Sequence, residues 1–189
     1  MLPTYAELIQ LMRSCEGRGE TWLEFCEARG WYQCYCREYV RALADVLHDL
    51  YPQCIVEVAA GDGRLMRALA TYGLPIYATD PNANDQDVER LTTSEALERY
   101  QPDTVIVSFP PLGAGIERAI ISSTSVRTWI AIAPVLNQQL ALDIPIPLPR
   151  WAVRFLHDVD RYSICRHDFL DSMGRVVKHS RTLLWQREH

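Results

Sequence analysis

The chain predicts an α/β fold: a doubly wound, mostly parallel sheet in a three-layer sandwich, with antiparallel C-terminal strands and a helical N-terminal cap. Three observations predict it. Between Cys54 and Ala133, short apolar runs rich in β-branched residues alternate with segments of helical period. The first of these runs passes through a small-residue turn, Ala59-Ala60-Gly61-Asp62-Gly63, straight into a helical pattern. After Trp151 the apolar runs follow one another without helices between them, which suits antiparallel pairing.

The N-terminal fifty residues read as helices. Thr4 can cap a helix from Tyr5 to about Cys15, with Leu8, Ile9, Leu11 and Met12 on its apolar side. Thr21 to Glu27 forms a short second helix. Gly30 breaks the chain, and a longer helix is expected from about Tyr32 to Tyr51, where Val40, Leu43, Ala44, Leu47 and Leu50 repeat at helical spacing. Pro52 stops it.

The alternating part begins with a strand over Cys54–Ala59 and a helix over Arg64–Tyr72, closed by Gly73. A second strand spans Pro75–Thr79, and Pro81 to Asp85 is a turn-rich loop. Val88–Leu91 reads as a short third strand. Thr92-Thr93-Ser94-Glu95 has capping-box spacing before a helix to Tyr100. Asp103–Phe109 is a fourth strand, Ile116–Ser122 a helix and Thr128–Ala133 a fifth strand. Trp151–Leu156, Tyr162–Phe169 and Thr182–Gln186 are the expected antiparallel strands, with Gly174 in a turn between the last two. No linker or repeat interrupts the sequence. Residues 1–189 are therefore expected to form one domain, with 1–53 as the helical cap and 54–189 as the core.

Composition narrows the function. With 48% apolar and 23% charged residues, the 189-residue chain can bury a full core. Its net charge of −5 argues against a surface that tracks phosphates, and so against a nucleic-acid substrate. No apolar run is long enough for a membrane span, and the N-terminus lacks the pattern of a secretory signal. The six cysteines have no metal-site spacing, so no metal is expected. Reduced thiols in a cytoplasmic protein account for them.

The chemistry gathers at three strand ends. Glu57 is an acid on an otherwise apolar strand, and a buried carboxylate needs hydrogen-bond donors. Gly61 and Gly63 leave bare backbone for a ligand to approach. Asp80 ends the second strand, and a carboxylate there can receive two donors at once.

The run Glu57-Val58-Ala59-Ala60-Gly61-Asp62-Gly63 resembles the first cofactor motif of the class I S-adenosylmethionine-dependent methyltransferases, which is an acid, an apolar residue and then alternate glycines. The likeness covers Cys54 to about Arg187, and its specific motifs lie in the first half. It implies S-adenosyl-L-methionine as cofactor and S-adenosyl-L-homocysteine as product. Glu57, Ala59, Gly61, Asp62 and Gly63 would cradle the methionine part. Asp80 would receive the ribose hydroxyls, with Pro81 beside it. Val88 and Glu89 would meet the adenine, and Ser108 and Phe109 would face the sulfonium. Ala59 stands where the family has its first glycine. Alanine resists positive φ, so a differently shaped turn is expected there.

Ser108-Phe109-Pro110-Pro111-Leu112 resembles the D/N/S-P-P-Y/F/W motif of methyltransferases acting on amide or exocyclic amino nitrogens. Phe109 interrupts it, however, and Leu112 replaces the stacking aromatic, so no base-methylating activity follows. Tyr32 and Tyr35, from the aromatic group before the first strand, together with Pro110 and Pro111, are the substrate-binding candidates. The implied substrate is a small molecule or a peptide side chain. Trp151 and the loop 145–149 could shape its entrance.

No catalytic base is singled out. His157-Asp158, just after an expected strand, and His167-Asp168, within another, are candidate proton acceptors, but adjacent residues on a strand point to opposite faces, so each histidine reads as structural or exposed. Two alternatives stand beside this reading. One is a non-catalytic S-adenosylmethionine-binding protein. The other is a nicotinamide-dependent oxidoreductase, opposed by Met66 at the place of that motif's third glycine.

Overall fold

The computed structural model describes residues 1–188. The central sheet has seven strands. Four are the parallel core, β1 (Ile55–Val58), β2 (Ile76–Thr79), β3 (Thr104–Ser108) and β4 (Thr128–Leu136). β5 (Gln139–Leu140) pairs antiparallel with the end of β4. β6 (Trp151–Phe155) and β9 (Ser180–Arg187) close the sheet antiparallel, giving the order β2-β1-β3-β4-β9-β6. The expected fold class is therefore the observed one. β2 lies on one side of β1 and β3 on the other, so strand order reverses at β1, and a crevice is expected outside the carboxyl ends of these strands.

The helices cover both faces. On one face lie α1 (Tyr5–Gly17), α2 (Trp22–Glu27), α3 (Arg37–Leu50), α4 (Arg64–Ala70) and the short α7 (His157–Asp160). They bury Leu8, Met12, Phe25, Leu43, Leu47, Leu69 and Val159 against Ile55, Ile106, Ile130 and Leu184 of the sheet. On the other face, α5 (Thr93–Tyr100) and α6 (Ile116–Ser122) pack Leu97, Ile116 and Ile120 onto Val56, Val58, Val105 and the stacked pair Trp129–Trp185. The alternation of Ile55 and Val56, or Val105 and Ile106, between these two cores is the period-two rule of a strand buried on both sides. Three helices, α1, α2 and α5, start with complete capping boxes, Thr4–Glu7, Thr21–Glu24 and Thr92–Glu95.

Three expected elements are different. The long helix starts at Arg37, not near Tyr32. Residues 32–36 are extended, because Gln33 bridges Cys165, the Cys34 amide donates to Ile164 and the Arg166 amide donates to Tyr32. Cys36 then serves as the N-cap, with its Sγ accepting from the Tyr39 amide. The expected third strand at Val88–Leu91 is a single bridge, Thr79 with Glu89. The expected strand Tyr162–Phe169 is mostly irregular. α7 precedes it, and apart from the Cys165 bridge only Phe169–Leu170 (β7) pairs, with Val176–Val177 (β8), around the turn that holds Gly174. Helix α7 is four residues long, too short to show a helical period in the sequence.

Among the described residues, no helix is long and apolar enough to cross a membrane.

Candidate functional site

A cavity of about 860 Å³ lies at the carboxyl ends of β1 to β4. That volume is in the range of small-molecule sites. The aligned register, Val58 opposite both Thr79 and Val107, brings the residues that follow each strand to one level.

The β1 end forms the floor. Glu57 is 2% exposed, and its Oε2 accepts from the Met66 amide of α4 at 2.8 Å. Burial pushes its carboxyl up to about 8, against the pull of that amide. Burial thus makes this carboxyl hold its proton more firmly than an exposed one does. The chain then turns at Ala59, which takes φ 51 and corrects the expectation that alanine would avoid positive φ here. The strain is held by the strand before it and by the Ala60 amide, which donates to Thr79. Gly61 (φ 58) and Gly63 (φ 70) complete the turn, and Gly63 opens α4. A Cβ on Gly63 would stand 2.6 Å from Val88 Cγ2, so glycine is required there for packing as well.

Asp80 faces this turn from the tip of β2. Its Oδ2 accepts from the Gly61 amide at 2.9 Å and its Oδ1 from the Asn82 amide at 2.8 Å. Each oxygen keeps a second lone pair for a ligand.

The β3 end supplies Ser108 and Phe109. The Tyr35 hydroxyl donates to Ser108 Oγ at 2.8 Å, and burial raises the Tyr35 phenol far above its ordinary value, so it stays a donor. Phe109 takes φ 54, an outlier for a bulky residue, and it precedes a proline. Its amide donates to Ile132 and its ring meets Tyr32 at 6.2 Å between centroids. Strained non-glycine residues therefore end both strands that flank the switch point.

Of the residues the sequence singled out, Glu57, Ala59, Gly61, Asp62, Asp80, Ser108, Phe109, Pro110, Pro111, Tyr32 and Tyr35 line the cavity. Gly63, Pro81, Val88 and Glu89 do not. Val88 is buried with Met66, Ala78 and Ala83 under the turn. The Glu89 carboxylate is engaged outside the cavity by the Tyr100 hydroxyl at 2.6 Å and Arg99 at 3.0 Å. Trp151 and the loop 145–149 do not reach the cavity either. Trp151 is buried beneath the Arg187 guanidinium. Asp168 turns inward, accepting from the Cys165 and His179 amides, while His167 lines the cavity.

Sequence reasoning did not assign Arg29, Gln33 or Arg166 to the site, and it weighed His167 only as a base, not as part of this wall. Nothing in their spacing marked them. Gln33 and Arg166, with His167 after it, arrive through the bridge between residues 32–34 and 164–166, two segments read as helix and strand, and Arg29 comes from the turn after α2.

The strand order, the two helical layers and the antiparallel closing strands make this the fold of the class I S-adenosylmethionine-dependent methyltransferases. The methyltransferase domain of a bacterial CtHen1 superposes with a TM-score of 0.50 at 10% identity, over 80% of this chain and 98% of that one. An S-adenosylmethionine-dependent O-methyltransferase from Thermotoga maritima superposes at 0.48 and 12% identity, over 89% and 71%. Magnesium protoporphyrin IX methyltransferase from Synechocystis PCC 6803, with bound S-adenosylmethionine, gives 0.47 at 15% identity, over 79% and 78%. No family model and no curated protein matches the sequence.

Proposed function

We propose that the protein binds S-adenosylmethionine and transfers its methyl group to a small molecule or a peptide side chain. The observation that carries this reading is the pairing of the Gly61 turn with Asp80 across the switch point, with Glu57 buried beneath. In this reading the bare backbone of Ala60 to Asp62 lies along the methionine part, and Asp80 receives the ribose hydroxyls through its two free lone pairs. Ser108 and Phe109 meet the sulfonium side. Neighbours of the same fold are small-molecule and peptide methyltransferases, among them a glycopeptide N-methyltransferase and a 1,6-didemethyltoxoflavin N1-methyltransferase. They support the class of reaction and leave the acceptor open.

When bound, the cofactor supplies a methyl on a cationic sulfur leaving group. The chain's own part is alignment. Tyr35 holds the Ser108 hydroxyl at one side of the reaction space, and Phe109 with Pro110 and Pro111 restricts where an acceptor can stand. Met66 opposes the nicotinamide reading. It is 9% exposed and fills the gap between α4, Ala78 and Val88, where a dinucleotide turn needs a glycine for close helix–strand packing.

The test is turnover. Incubation with S-adenosylmethionine and a panel of small amines, phenols, thiols and acids is expected to yield acceptor-dependent S-adenosylhomocysteine. Tight S-adenosylhomocysteine binding with no turnover on any panel member would favour the non-catalytic reading.

A further inference from the structure

The cavity is divided by charge. Asp62, Asp80 and Asp85 stand along the β1 and β2 ends, whereas Arg29, Arg166 and His167 stand on the wall built from the N-terminal segment and its bridge. Arg64, also in the wall, is already paired with Asp62 at 2.7 Å.

The two remaining arginines have different neighbours. Arg29 is already engaged: its guanidinium lies 3.6 Å over the Phe25 ring and its Nη1 donates to the Phe25 carbonyl at 2.9 Å. Arg166 belongs with the β3 end. Its guanidinium lies 4.2 Å over the Tyr32 ring, and Tyr32 in turn meets Phe109. Among the described residues no carboxylate pairs with Arg166. Its one side-chain hydrogen bond among the described residues goes to His167, whose Nε2 accepts from Arg166 Nε at 3.3 Å. Burial and the neighbouring Arg166 charge lower the His167 pKa and so favour the neutral ring, the form that has an acceptor nitrogen to offer. The two terminal nitrogens of Arg166 are left as a fork, in the geometry that matches a carboxylate.

Two further features describe what the fork faces. Tyr32 is 50% exposed and Leu112 60%, so apolar surface is open beside it. Gln33, 4% exposed and part of the same wall, spends its Nε2 on Ser163 at 2.9 Å, while its Oε1 is buried without a donor. A buried acceptor of this kind is costly unless a ligand donates to it.

We propose that the cavity takes its methyl acceptor as an anion: a small, flat, largely apolar molecule whose carboxylate is gripped by the Arg166 fork beside Tyr32, with an N–H or O–H turned to Gln33. The proposal rests on the methyltransferase reading for the word acceptor, but the anion site itself does not. The negative net charge of the whole chain makes this local basic wall selective, since a polyanion is repelled elsewhere on the surface.

The test uses 2-naphthoate, 2-naphthamide and 2-naphthyl phosphate as probes, titrated calorimetrically into the whole protein with and without S-adenosylhomocysteine. 2-Naphthoate is expected to bind at least about tenfold tighter than the amide, the scale of a charge-assisted pair. Arg166→Gln is expected to abolish that preference and to leave S-adenosylhomocysteine affinity unchanged. Arg154→Gln, on the exposed face of β6, is expected to change neither. Equal binding of acid and amide by the wild type would overturn the proposal. So would a preference that survives Arg166→Gln, or an amide-like acid beside a tightly held phosphate. If S-adenosylhomocysteine does not bind, the cofactor reading fails separately, and the cofactor-free titration still decides the anion site.

Discussion

The amide of Gly61 donates to Oδ2 of Asp80 at 2.9 Å, tying the turn after β1 to the tip of β2. One carboxylate thus shapes the turn and, with its unused lone pairs, stands ready to bind. Asp80→Ala is expected to fold, because both backbone donors it releases can reach water, at a stability cost of about 1 kcal/mol. The same change is expected to weaken S-adenosylhomocysteine binding at least about 100-fold, since two charge-assisted bonds are lost. Calorimetry on the folded variant checks this, and unchanged affinity would remove Asp80 from the site.

Gly63 and Val88 meet more closely than any added methyl allows. Gly63→Ala would place a Cβ 2.6 Å from Val88 Cγ2 at φ 70, so it is expected to destabilise the protein by about 2 kcal/mol. Valine is stiff and buried, so it cannot swing aside. The double variant Gly63→Ala/Val88→Ala tests the cause. Chemical denaturation should show less than additive loss, and full additivity would mean that backbone strain alone is responsible.

Ala59→Gly is expected to stabilise the fold by about 0.5–1 kcal/mol. At φ 51 the relief of left-handed strain exceeds the extra freedom glycine gains in the unfolded chain. A lower thermal midpoint for the variant would show that the alanine methyl contributes packing that outweighs its strain.

Glu57 makes stability depend on pH with a definite sign. Its folded value, about 8, lies above the ordinary 4.5. Below 4.5 both states hold the proton. Between 4.5 and 8 the unfolded chain releases it while the folded chain keeps it, so stability falls as pH rises and levels off above 8. Glu57→Gln can still accept from the Met66 amide but cannot ionise. Relative to the wild type it is expected to gain roughly 2 kcal/mol or more on going from pH 5 to pH 8. Urea unfolding at both values checks this, and parallel pH profiles would place the ionised form of Glu57 in the folded state.

The parts legible in the sequence are those set by local rules. Thr4 ahead of an apolar run and the Thr92–Glu95 spacing mark two helix starts that the structure realises as capping boxes, and Thr21 forms a third with Glu24. Gly61, Gly63 and the β-branched runs announced the strand–turn–helix junction. Hidden from the sequence was whatever depends on a distant partner. Residues 32–36 hold no glycine or proline to separate them from the helix that follows, yet their backbone bonds to Ile164 and Arg166 far along the chain, and that pairing keeps them out of it. The same bridge delivers Arg166 and Gln33 to the cavity, so the wall opposite the glycine turn could not be read ahead. Val88–Glu89 failed for a related reason. One bridge to Thr79 is too little to form a strand, and Tyr100 with Arg99 claims the Glu89 carboxylate.

The most direct measurement is a pair of calorimetric titrations of the unmodified protein, one with S-adenosylhomocysteine and one with NADH. The account predicts one S-adenosylhomocysteine site per chain, filled more tightly than NADH by at least about tenfold. Tighter NADH binding, or no saturable heat with S-adenosylhomocysteine, would contradict it.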